Sequence, residues 1–270
     1  MTSIKGFTTE LVAAALSDAL AHRSPGRPCV FAVSGLQGSG KSTFAAQVAA
    51  LADTSGLKAA TLSIDDVYLT RDARQRLARE VHPLLATRGP ASTHDLALAH
   101  ATLDAVAGGR RIRLPRFDKL GDDRLPESQW PQLQAPLDLL VVEGWLLGTP
   151  AEAPAALVAP LNALERDEDH DGAWRLHCNT ALSRDYPALW ARLDRLWLLQ
   201  APGFEIIPEW RWQQEQTLQA HTPGHGGMSR AQVERFVQFY ERTSRQALRT
   251  LPAIADRCIP LDHARHITGR

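Results

Sequence analysis

The stretch Gly35–Thr43, GLQGSGKST, decides the fold of this chain. It satisfies the pattern GxxxxGK[ST], in which backbone N–H groups wrap phosphates, the lysine neutralises their oxygens and the hydroxyl ligates Mg²⁺. The preceding run, CVFAVS, is typical of a buried strand, and the following run, FAAQVAAL, favours a helix. The strand–loop–helix context that the pattern requires is therefore present. We predict a nucleotide phosphate site with Mg²⁺, built from Gly35, Leu36, Gln37, Gly38, Ser39, Gly40, Lys41, Ser42 and Thr43.

The composition of the chain excludes several classes of partner. Its 270 residues, 44% of them hydrophobic, can bury the core of one α/β domain. Thirty Lys and Arg balance thirty Asp and Glu, so no overall basic field would attract nucleic acid or an anionic membrane. No run approaches the roughly 18 apolar residues that a bilayer crossing needs. We expect a small-molecule partner, with no nucleic acid and no membrane, and the sequence leaves the oligomeric state open.

The cysteines and the N-terminus point to a reducing compartment. Cys29, Cys178 and Cys258 are an odd number, lie far apart and show no CxxC spacing, so they do not describe a disulfide framework. Residues 1–24 have the pattern of an amphipathic helix rather than of a signal peptide. We therefore expect a cytoplasmic protein.

Apolar runs alternate with helical patterns along the rest of the chain. Strand-like runs occur at 28–34, 58–64, 110–117, 137–144, 195–202 and 258–262, and helical patterns lie between most of them. Thr93 or Asp95 could cap the helix that begins at residue 96, and SRAQ at Ser229 has the spacing of a capping box. This alternation predicts an α/β fold, a P-loop NTPase of three layers, α/β/α, with a mainly parallel central sheet and a small helical lid.

Acidic residues follow two of the predicted strands. Asp65 and Asp66 close the second strand, and Glu143 closes the run LDLLVVEG. Ligands of open parallel sheets gather beyond the carboxyl ends of the strands, so these carboxylates should lie near the bound phosphates. Glu143 is expected to support Mg²⁺ directly or through water. Because side chains alternate along a strand, only one of the two aspartates should face the γ-phosphate. We favour Asp65, either as the base that accepts a hydroxyl proton or as a partner of Mg²⁺.

Basic residues on loops are the candidates for holding an acceptor molecule. Arg88 lies in RGPASTHD, and Arg116 and Lys119 lie in LPRFDK. An arginine side chain suits a carboxylate or a phosphate, so this set favours an anionic acceptor, although each residue taken alone could be an ordinary solvated cation.

Three other features are interpreted as structural. His221 and His225 in HTPGHGG, expected to be a flexible loop, lack the supporting ligands of a metal site. The acidic run at 165–172, ERDEDHDG, lacks the ligand spacing of a calcium loop and is expected to be a solvated connection. The aromatic residues Trp197, Trp210 and Trp212 are expected to pack in the core or between helices, with base stacking as the alternative.

Taken in order, six segments resemble the plant-type D-glycerate 3-kinases and the similar bacterial and fungal kinase-like proteins. They are GLQGSGKST, LSIDDVYLT, RGPASTHDL, LPRFDKLGDDRLPESQWP, VVEGWLLG and GMSRAQVERFVQFY. The chain is similar, more distantly, to uridine kinase, phosphoribulokinase and pantothenate kinase. The resemblance implies ATP and Mg²⁺ as cofactors and transfer of the γ-phosphoryl group to the 3-hydroxyl of D-glycerate, which gives 3-phosphoglycerate.

The resemblance also implies roles for individual residues. Asp65 matches the acidic residue of a D-x-F-Y motif, with Val67 in place of the aromatic, and Asp95 matches an aspartate that contacts acceptor hydroxyls. Arg211 is the candidate for a lid arginine that closes over the phosphates, and Arg230 competes with it. The implied sets are Asp65, Lys41 and Arg211 for catalysis; Asp65, Tyr68, Arg88, Asp95, Arg116 and Lys119 for the acceptor; and Ser42, Asp65 and Glu143 for the metal.

On this interpretation, residues 1–270 form a single P-loop kinase domain. It would comprise an N-terminal helix (1–24), a core that binds nucleotide and acceptor (28–148), a variable helical and loop insertion (149–180) and a C-terminal part that carries the lid (181–270). Two alternatives stay open. The acceptor could instead be a nucleoside or a pantothenate-like acid, or the chain could be a non-catalytic regulatory protein that binds ATP.

Overall fold

The first strand, β1, lies at the centre of the sheet, as its apolar sequence predicts. All seven residues of β1 (Cys29–Gly35) are buried. Because alternate side chains of a strand point to opposite faces, this burial requires that the sheet be covered on both sides. The computed structural model describes residues 6–221 and 227–268 of the chain.

Within those residues, strands and helices alternate largely as the sequence predicts. The other strands are β2 (Ala59–Ser63), β3 (Phe117–Asp118), β4 (Asp123–Arg124), β5 (Leu139–Gly144), β6 (Arg195–Gln200) and β7 (Arg257–Pro260). The helices are α1 (Thr9–Ala21), α2 (Lys41–Thr54), α3 (Arg71–Glu80), α4 (Leu96–Ala107), α5 (Ala163–Glu168), α6 (Ala173–Arg184), α7 (Pro187–Trp190), α8 (Ile207–His221) and α9 (Arg230–Ile254).

The main sheet is parallel and has the order β2-β5-β1-β6-β7. Its register pairs Ser34 with Gly144 and Ser63 with Glu143, so β1, β2 and β5 end at the same edge. Helices α1 and α2 pack on each other and on β1, and α9 packs on β6. The predicted three-layer P-loop architecture with its parallel sheet is confirmed. Among the described residues, no helix has both the length and the apolar character that crossing a membrane requires.

The expected strand at 110–117 is wrong. The segment contributes a single bridge, between Arg113 and Gln132, and then the two-residue strand β3, which pairs only with β4. Its four arginines cannot be buried on both faces of a parallel sheet, and Pro115 has no N–H to donate to a ladder. The segment instead leads into the short β3–β4 hairpin, which brings Lys119, Leu120 and Asp122 to the functional site.

The acidic run at 165–172, expected to be a solvated connection, is exposed at five of its eight residues but also contains two buried carboxylates. Its first half lies in α5, and Glu165 and Asp169 are 1% and 0% exposed. Arg242 donates to both carboxylate oxygens of Glu165 at 2.7 Å, and Arg175 lies 2.8 Å from Asp169. Guanidinium groups from α6 and α9 therefore satisfy these carboxylates, which composition alone could not reveal.

The C-terminal part agrees with its predicted pattern. Ser229 caps α9 through the expected capping box, and Val233, Val237 and Tyr240 are buried on one face of that helix. Trp197 and Trp210 are buried core residues, whereas Trp212 is half-buried. Most of the HTPGHGG segment, including His225, lies outside the described residues, and α8 ends at residue 221.

Candidate active site

A cleft of about 610 Å³ opens at the carboxyl edge of the sheet. Its walls come from the phosphate loop (Gly35–Thr43), the turn after β2, the β3–β4 hairpin, the end of β5, and helices α8 and α9. Parallel strands expose this edge to ligands because the chain leaves the sheet there to begin each helix. The cleft therefore lies at the edge of the sheet where we expect the nucleotide and the acceptor to bind.

The phosphate loop is held in shape by a close contact with α8. Gly38 has φ +80°, and a Cβ added to it would lie 2.5 Å from the Cβ of Trp210. Only glycine combines that backbone conformation with that approach. Gln37, Gly38, Lys41 and Ser42 line the cleft. The loop therefore presents its lysine and hydroxyl to the cleft while α8 packs behind its tip.

Ser42 and Glu143 form a pair suited to Mg²⁺. The Ser42 hydroxyl donates to Oε1 of Glu143 at 3.0 Å. Glu143 is only 7% exposed, and its other oxygen, Oε2, is buried without a hydrogen-bond partner among the described residues. A buried carboxylate oxygen without a partner is costly unless a cation or water satisfies it. A hydroxyl beside such an oxygen is a ligand set that hard divalent cations prefer, so these residues fit Mg²⁺.

Asp65 also lines the cleft, and it lies in a 3₁₀ turn (Ile64–Val67) rather than at the end of a strand. Lys119 Nζ donates to Asp65 Oδ2 at 2.6 Å, and Tyr68 Oη donates to Oδ1 at 2.7 Å. Burial disfavours ionisation of this carboxyl, but the charges of Lys119 and Lys41 and the two hydrogen bonds outweigh it and hold its pKa well below the usual range. Asp65 is therefore a carboxylate at neutral pH.

Asp66 faces away from the cleft. Its carboxylate accepts from the backbone N–H groups of Ser63 at 3.4 Å and Phe117 at 3.2 Å, and from Arg116 at 3.2 Å. Burial raises its pKa, against the opposing charge of Arg116. The structure thus turns one aspartate toward the cleft and the other toward the hairpin. The cause is the 3₁₀ turn and its capping box, not the alternation of a strand.

The predicted acceptor residues divide into two groups. Tyr68, Arg88 and Lys119 line the cleft. Asp95 instead caps α4, accepting from the N–H of Leu98 at 2.9 Å, and it lies 2.8 Å from Arg124. Arg116 is bound to Asp66 and to the carbonyl of Pro115. Neither Asp95 nor Arg116 belongs to the cleft walls, because local capping and a neighbouring carboxylate already occupy their side chains.

Arg88 is positioned by an unusually close approach of two chain segments. Gly89 has φ +121°, and a Cβ added there would lie 2.1 Å from the hydroxyl of Tyr240. That hydroxyl donates to the carbonyl of Arg88 at 3.0 Å. The guanidinium group of Arg88 pairs with Asp122 in the hairpin. Helix α9 therefore fixes the backbone at Arg88, and the hairpin supplies the partner of its charge.

Several cleft residues escaped the sequence reasoning. Asp122, Trp145, Phe236 and Tyr240 line the cleft. Trp145 follows the EG pair directly, and its position was the available signal; its Nε1 is buried without a partner among the described residues. Phe236 and Tyr240 have the four-residue spacing of a helix face, which is typical of packing and gives no signal of a position in the cleft. Nothing in the sequence distinguishes Asp122 from its neighbour Asp123.

A buried aromatic layer supports Tyr68 from behind. The Tyr68 ring stacks on His94 with the ring centres 4.7 Å apart, and Nδ1 of His94 lies 2.6 Å from the hydroxyl of Tyr186. Burial lowers the pKa of His94 to about 4, so the ring is neutral at physiological pH. The layer thus holds Tyr68 rigidly without adding a charge near Asp65.

The two candidate lid arginines have different surroundings. Arg211 lies on α8 one residue after Trp210 and lines the cleft, and its guanidinium group lies 2.9 Å from Glu215. Arg230 is exposed and pairs with Glu209 and Glu234. Of the two, Arg211 lines the cleft and Arg230 does not.

No family model matches this chain, but two known proteins are similar to it over most of its length. The chain is 31% identical over 241 residues to the chloroplastic D-glycerate 3-kinase of Arabidopsis thaliana, and the alignment covers 84% of this chain and 49% of that protein. It thus spans about half the length of that relative. It is 32% identical over 225 residues to an uncharacterized kinase of Schizosaccharomyces pombe, with 80% of this chain and 79% of that protein covered.

Solved structures of similar fold and similar length are also known. One is a D-glycerate 3-kinase from Cryptococcus neoformans var. grubii, which superposes with a TM-score of 0.74 at 25% sequence identity and covers 96% of each chain. The structural agreement therefore extends over the insertion and the C-terminal part as well as the phosphate loop.

Proposed function

The chain belongs to the P-loop kinase family that contains the D-glycerate 3-kinases, and from this membership and the cleft we propose that it transfers the γ-phosphoryl group of ATP to a hydroxyl of a small anionic acceptor, first of all D-glycerate. One observation carries the proposal. Lys41 and Asp65 line the same cleft, and Lys41 is close enough to contribute to the lowered pKa of Asp65. A group that grips phosphates and a carboxylate that can receive a proton therefore face one space.

The nucleotide end of the cleft follows from the phosphate loop. The backbone of Gly35–Thr43 would wrap the phosphates, and Lys41 would neutralise the β and γ oxygens. Ser42 and Glu143 would hold Mg²⁺, which offsets the negative charge of the phosphates as the γ-phosphoryl group transfers. Arg211 would approach the same oxygens from α8 and help to exclude water.

The acceptor end has the charges that an anionic alcohol needs. Arg88 offers a planar guanidinium group for a carboxylate, and Lys119 and Tyr68 are close to Asp65. A hydroxyl placed beside Asp65 would give its proton to the carboxylate while its oxygen bonds to the γ-phosphorus and the bond to the bridging oxygen of ADP breaks. Asp65 could also act by hydrogen bonding to a water on Mg²⁺.

Two broader statements belong to the proposal. We interpret residues 1–270 as a single kinase domain, because one hydrophobic core runs from Leu11 in α1 to Leu261 after β7. We also propose a reducing, cytoplasmic location, which the free thiols of Cys29, Cys178 and Cys258 support.

Release of ADP, measured in a coupled assay, tests the proposed activity. The acceptors should include D-glycerate, L-glycerate, pantothenate, uridine and glycerol, each with and without Mg²⁺. We expect turnover with D-glycerate and a product phosphorylated at the 3-hydroxyl, which phosphorus and carbon NMR can identify. Turnover of uridine without turnover of D-glycerate would contradict the proposal. Hydrolysis of ATP that no acceptor accelerates would instead favour the regulatory alternative.

A further inference from the structure

Lys119–Asp122 is the turn that joins β3 and β4. It places a positive and a negative charge against Asp65 and Arg88, the two residues proposed above to contact the acceptor. Lys119 Nζ donates to Asp65 Oδ2 at 2.6 Å. Three residues later, the carboxylate of Asp122 pairs with the guanidinium group of Arg88. One short turn therefore occupies both the carboxylate proposed as the base and the arginine proposed to hold the acceptor's anionic group.

This placement is built by several contacts and does not depend on one flexible side chain. Arg74 is 1% exposed, donates to the backbone carbonyl of Asp122 at 2.6 Å and lies 3.0 Å from its carboxylate. Arg88 also donates to the carbonyl of Lys119 at 3.1 Å. Asp122 has φ +53°, a left-handed conformation that directs the chain back into β4. The turn is therefore held over the acceptor end of the cleft by cations beneath it.

The charges of the turn match the chemistry that an acceptor must present. The acceptor proposed above carries a carboxylate for Arg88 and a hydroxyl that donates to Asp65. The turn supplies a carboxylate to Arg88 and an N–H donor to Asp65. We propose that the 119–122 turn is an intramolecular substitute for the acceptor, and that Asp122 sets the affinity for acceptor anions by competing for Arg88. This inference rests on the proposed function, since it assumes that the acceptor bears a carboxylate.

The exposure of the two pairs indicates how the exchange proceeds. The side chain of Lys119 is 59% exposed, so its ammonium can leave Asp65 for water at little cost. The pair between Arg88 and Asp122 is more enclosed, at 19% and 34% exposure. Displacing Asp122 therefore requires an incoming anion that replaces its interaction with Arg88. A neutral alcohol cannot do so, and the turn thereby selects anionic acceptors over neutral ones.

A matched pair of variants tests the inference. Asp122→Asn removes the charge that competes for Arg88. Asp123→Asn removes the same charge from the adjacent residue, whose carboxylate accepts from the backbone N–H groups of Arg71 and Arg124 and does not line the cleft. Calorimetric titration of each protein with D-glycerate in the presence of MgADP measures the affinity. We expect Asp122→Asn to bind about fivefold more tightly than the unmodified chain, and Asp123→Asn to bind like it.

The titrations separate this inference from the proposed function. Equal affinity in all three proteins, weaker binding by Asp122→Asn, or binding by none of them would overturn the role of the turn. If Asp122→Asn bound D-glycerate more tightly but the unmodified chain transferred no phosphoryl group to it, the proposed role of the turn would be supported and the kinase assignment contradicted. If the chain transferred a phosphoryl group to D-glycerate and Asp122→Asn left the KM for D-glycerate unchanged, the kinase assignment would be supported and the role of the turn contradicted.

Hydrogen exchange of the turn supplies a second measurement that does not depend on a variant. If the acceptor displaces the turn, adding D-glycerate to the unmodified chain with MgADP should speed exchange at the amides of residues 119–123. Slower exchange at these amides would show that the acceptor binds beneath a turn that stays in place, and would overturn the inference.

Discussion

At the scale of single residues, the site depends on Asp65, whose carboxylate stays ionised because the charges and hydrogen bonds around it outweigh the cost of its burial. Both oxygens of Asp65 accept hydrogen bonds, one from Tyr68 and one from Lys119. A strongly lowered pKa makes a carboxylate a weak base toward free protons, but it also ensures that the proton-accepting form is always present. Asp65 is thus suited to orienting a hydroxyl, and it would receive the proton only as the oxygen bonds to phosphorus.

Asp65→Asn should abolish that acceptance while leaving the shape of the site nearly intact. We expect kcat to fall by about 10²- to 10⁴-fold, the range that positioned general bases contribute, with little change in the KM for ATP. Steady-state kinetics with ATP and the acceptor varied separately check this. Asp66→Asn is the contrasting variant, because Asp66 faces the hairpin. It should lower the midpoint of thermal unfolding and have only a small effect on kcat. Full activity of Asp65→Asn would exclude the general-base role.

The same carboxylate has a defined pH signature. Its pKa in the folded chain lies below the ordinary value of 3.8, so near that pH the folded state binds fewer protons than the unfolded state. Its contribution to stability is therefore complete above pH 3.8 and is lost as the pH falls toward the folded pKa. Thermal unfolding between pH 3 and 7 should show weaker acid destabilisation in Asp65→Asn. An acid limb of kcat between pH 5 and 6 that disappears in this variant would contradict the assignment.

The proposed Mg²⁺ ligands, Ser42 and Glu143, can be tested by removing the charge of Glu143 and the hydroxyl of Ser42 in separate variants. Glu143→Gln should raise the Mg²⁺ concentration needed for half-maximal activity by about 10- to 100-fold, because it removes the buried charge beside Ser42. Ser42→Ala should act in the same direction, whereas Ser42→Thr keeps the hydroxyl that the phosphate-loop pattern permits and serves as the control. Magnesium titrations at saturating ATP measure the effect. An unchanged requirement in Glu143→Gln would place the metal elsewhere.

At the scale of elements, helix α8 connects the phosphate loop to the start of α9. Its residue Trp210 contacts Gly38. Its residue Glu215, 3% exposed, accepts from Arg211 at 2.9 Å and from the backbone N–H of Met228 at 2.9 Å. A single buried carboxylate thus orients the arginine that lines the cleft and fixes the chain just before α9. We infer that α8 carries the predicted lid arginine.

Arg211→Ala and Arg230→Ala distinguish the two lid candidates. Arg211 faces the cleft, so its loss should lower kcat by about 10²-fold or more through lost stabilisation of charge on the transferring group. Arg230 is paired with two exposed glutamates on the outer surface, and its loss should change kcat by less than about twofold. Measuring kcat for both variants under saturating substrates decides between them. The reverse order of effects would assign the lid to the start of α9.

The elements also show what a sequence can and cannot predict. The buried strands and the phosphate loop are encoded by residues that are neighbours in sequence. The strand β1 before that loop and the helix α2 after it were therefore predicted correctly. The neighbours of a long polar side chain depend on the tertiary fold. Arg116 and Lys119 lie three residues apart, yet one is bound to Asp66 and the other reaches Asp65. Residues 110–117 were expected to form a strand of the main sheet, and the β3–β4 hairpin that follows them was not predicted, which is why Asp122 went unrecognised.

At the scale of the whole molecule, the sheet brings together residues from the entire length of the chain. The order β2-β5-β1-β6-β7 places the end of the first strand beside the ends of strands that follow it by more than 100 residues. The phosphate loop and the acidic residues meet because parallel strands share an edge, and the C-terminal helices close the cleft from the other side. The candidate active site is thus a product of topology, and local motifs supply only its parts.

The segment after β7 completes this arrangement from the far end of the chain. Arg265 Nε donates to the carbonyl of Gly38 at 2.6 Å, across 227 positions of sequence. Its guanidinium group lies 4.9 Å from the ring centre of Trp210, and the indole N–H of Trp210 donates to the carbonyl of His263 at 2.9 Å. The tip of the phosphate loop is therefore held between α8 and the C-terminal segment.

Arg265→Ala should loosen that hold without touching the acceptor end. We expect the KM for ATP to rise about tenfold, equivalent to ~1.5 kcal/mol for one charge-assisted hydrogen bond, while the KM for the acceptor stays within twofold. His266→Ala is the control, because that side chain is 78% exposed and contacts Asp262 alone among the ion pairs of the described residues. Kinetics with each substrate varied at saturation of the other measure both constants. Equal effects on the two constants would mean that Arg265 supports the fold as a whole, whereas a selective effect on ATP would show that the end of the chain shapes the phosphate loop.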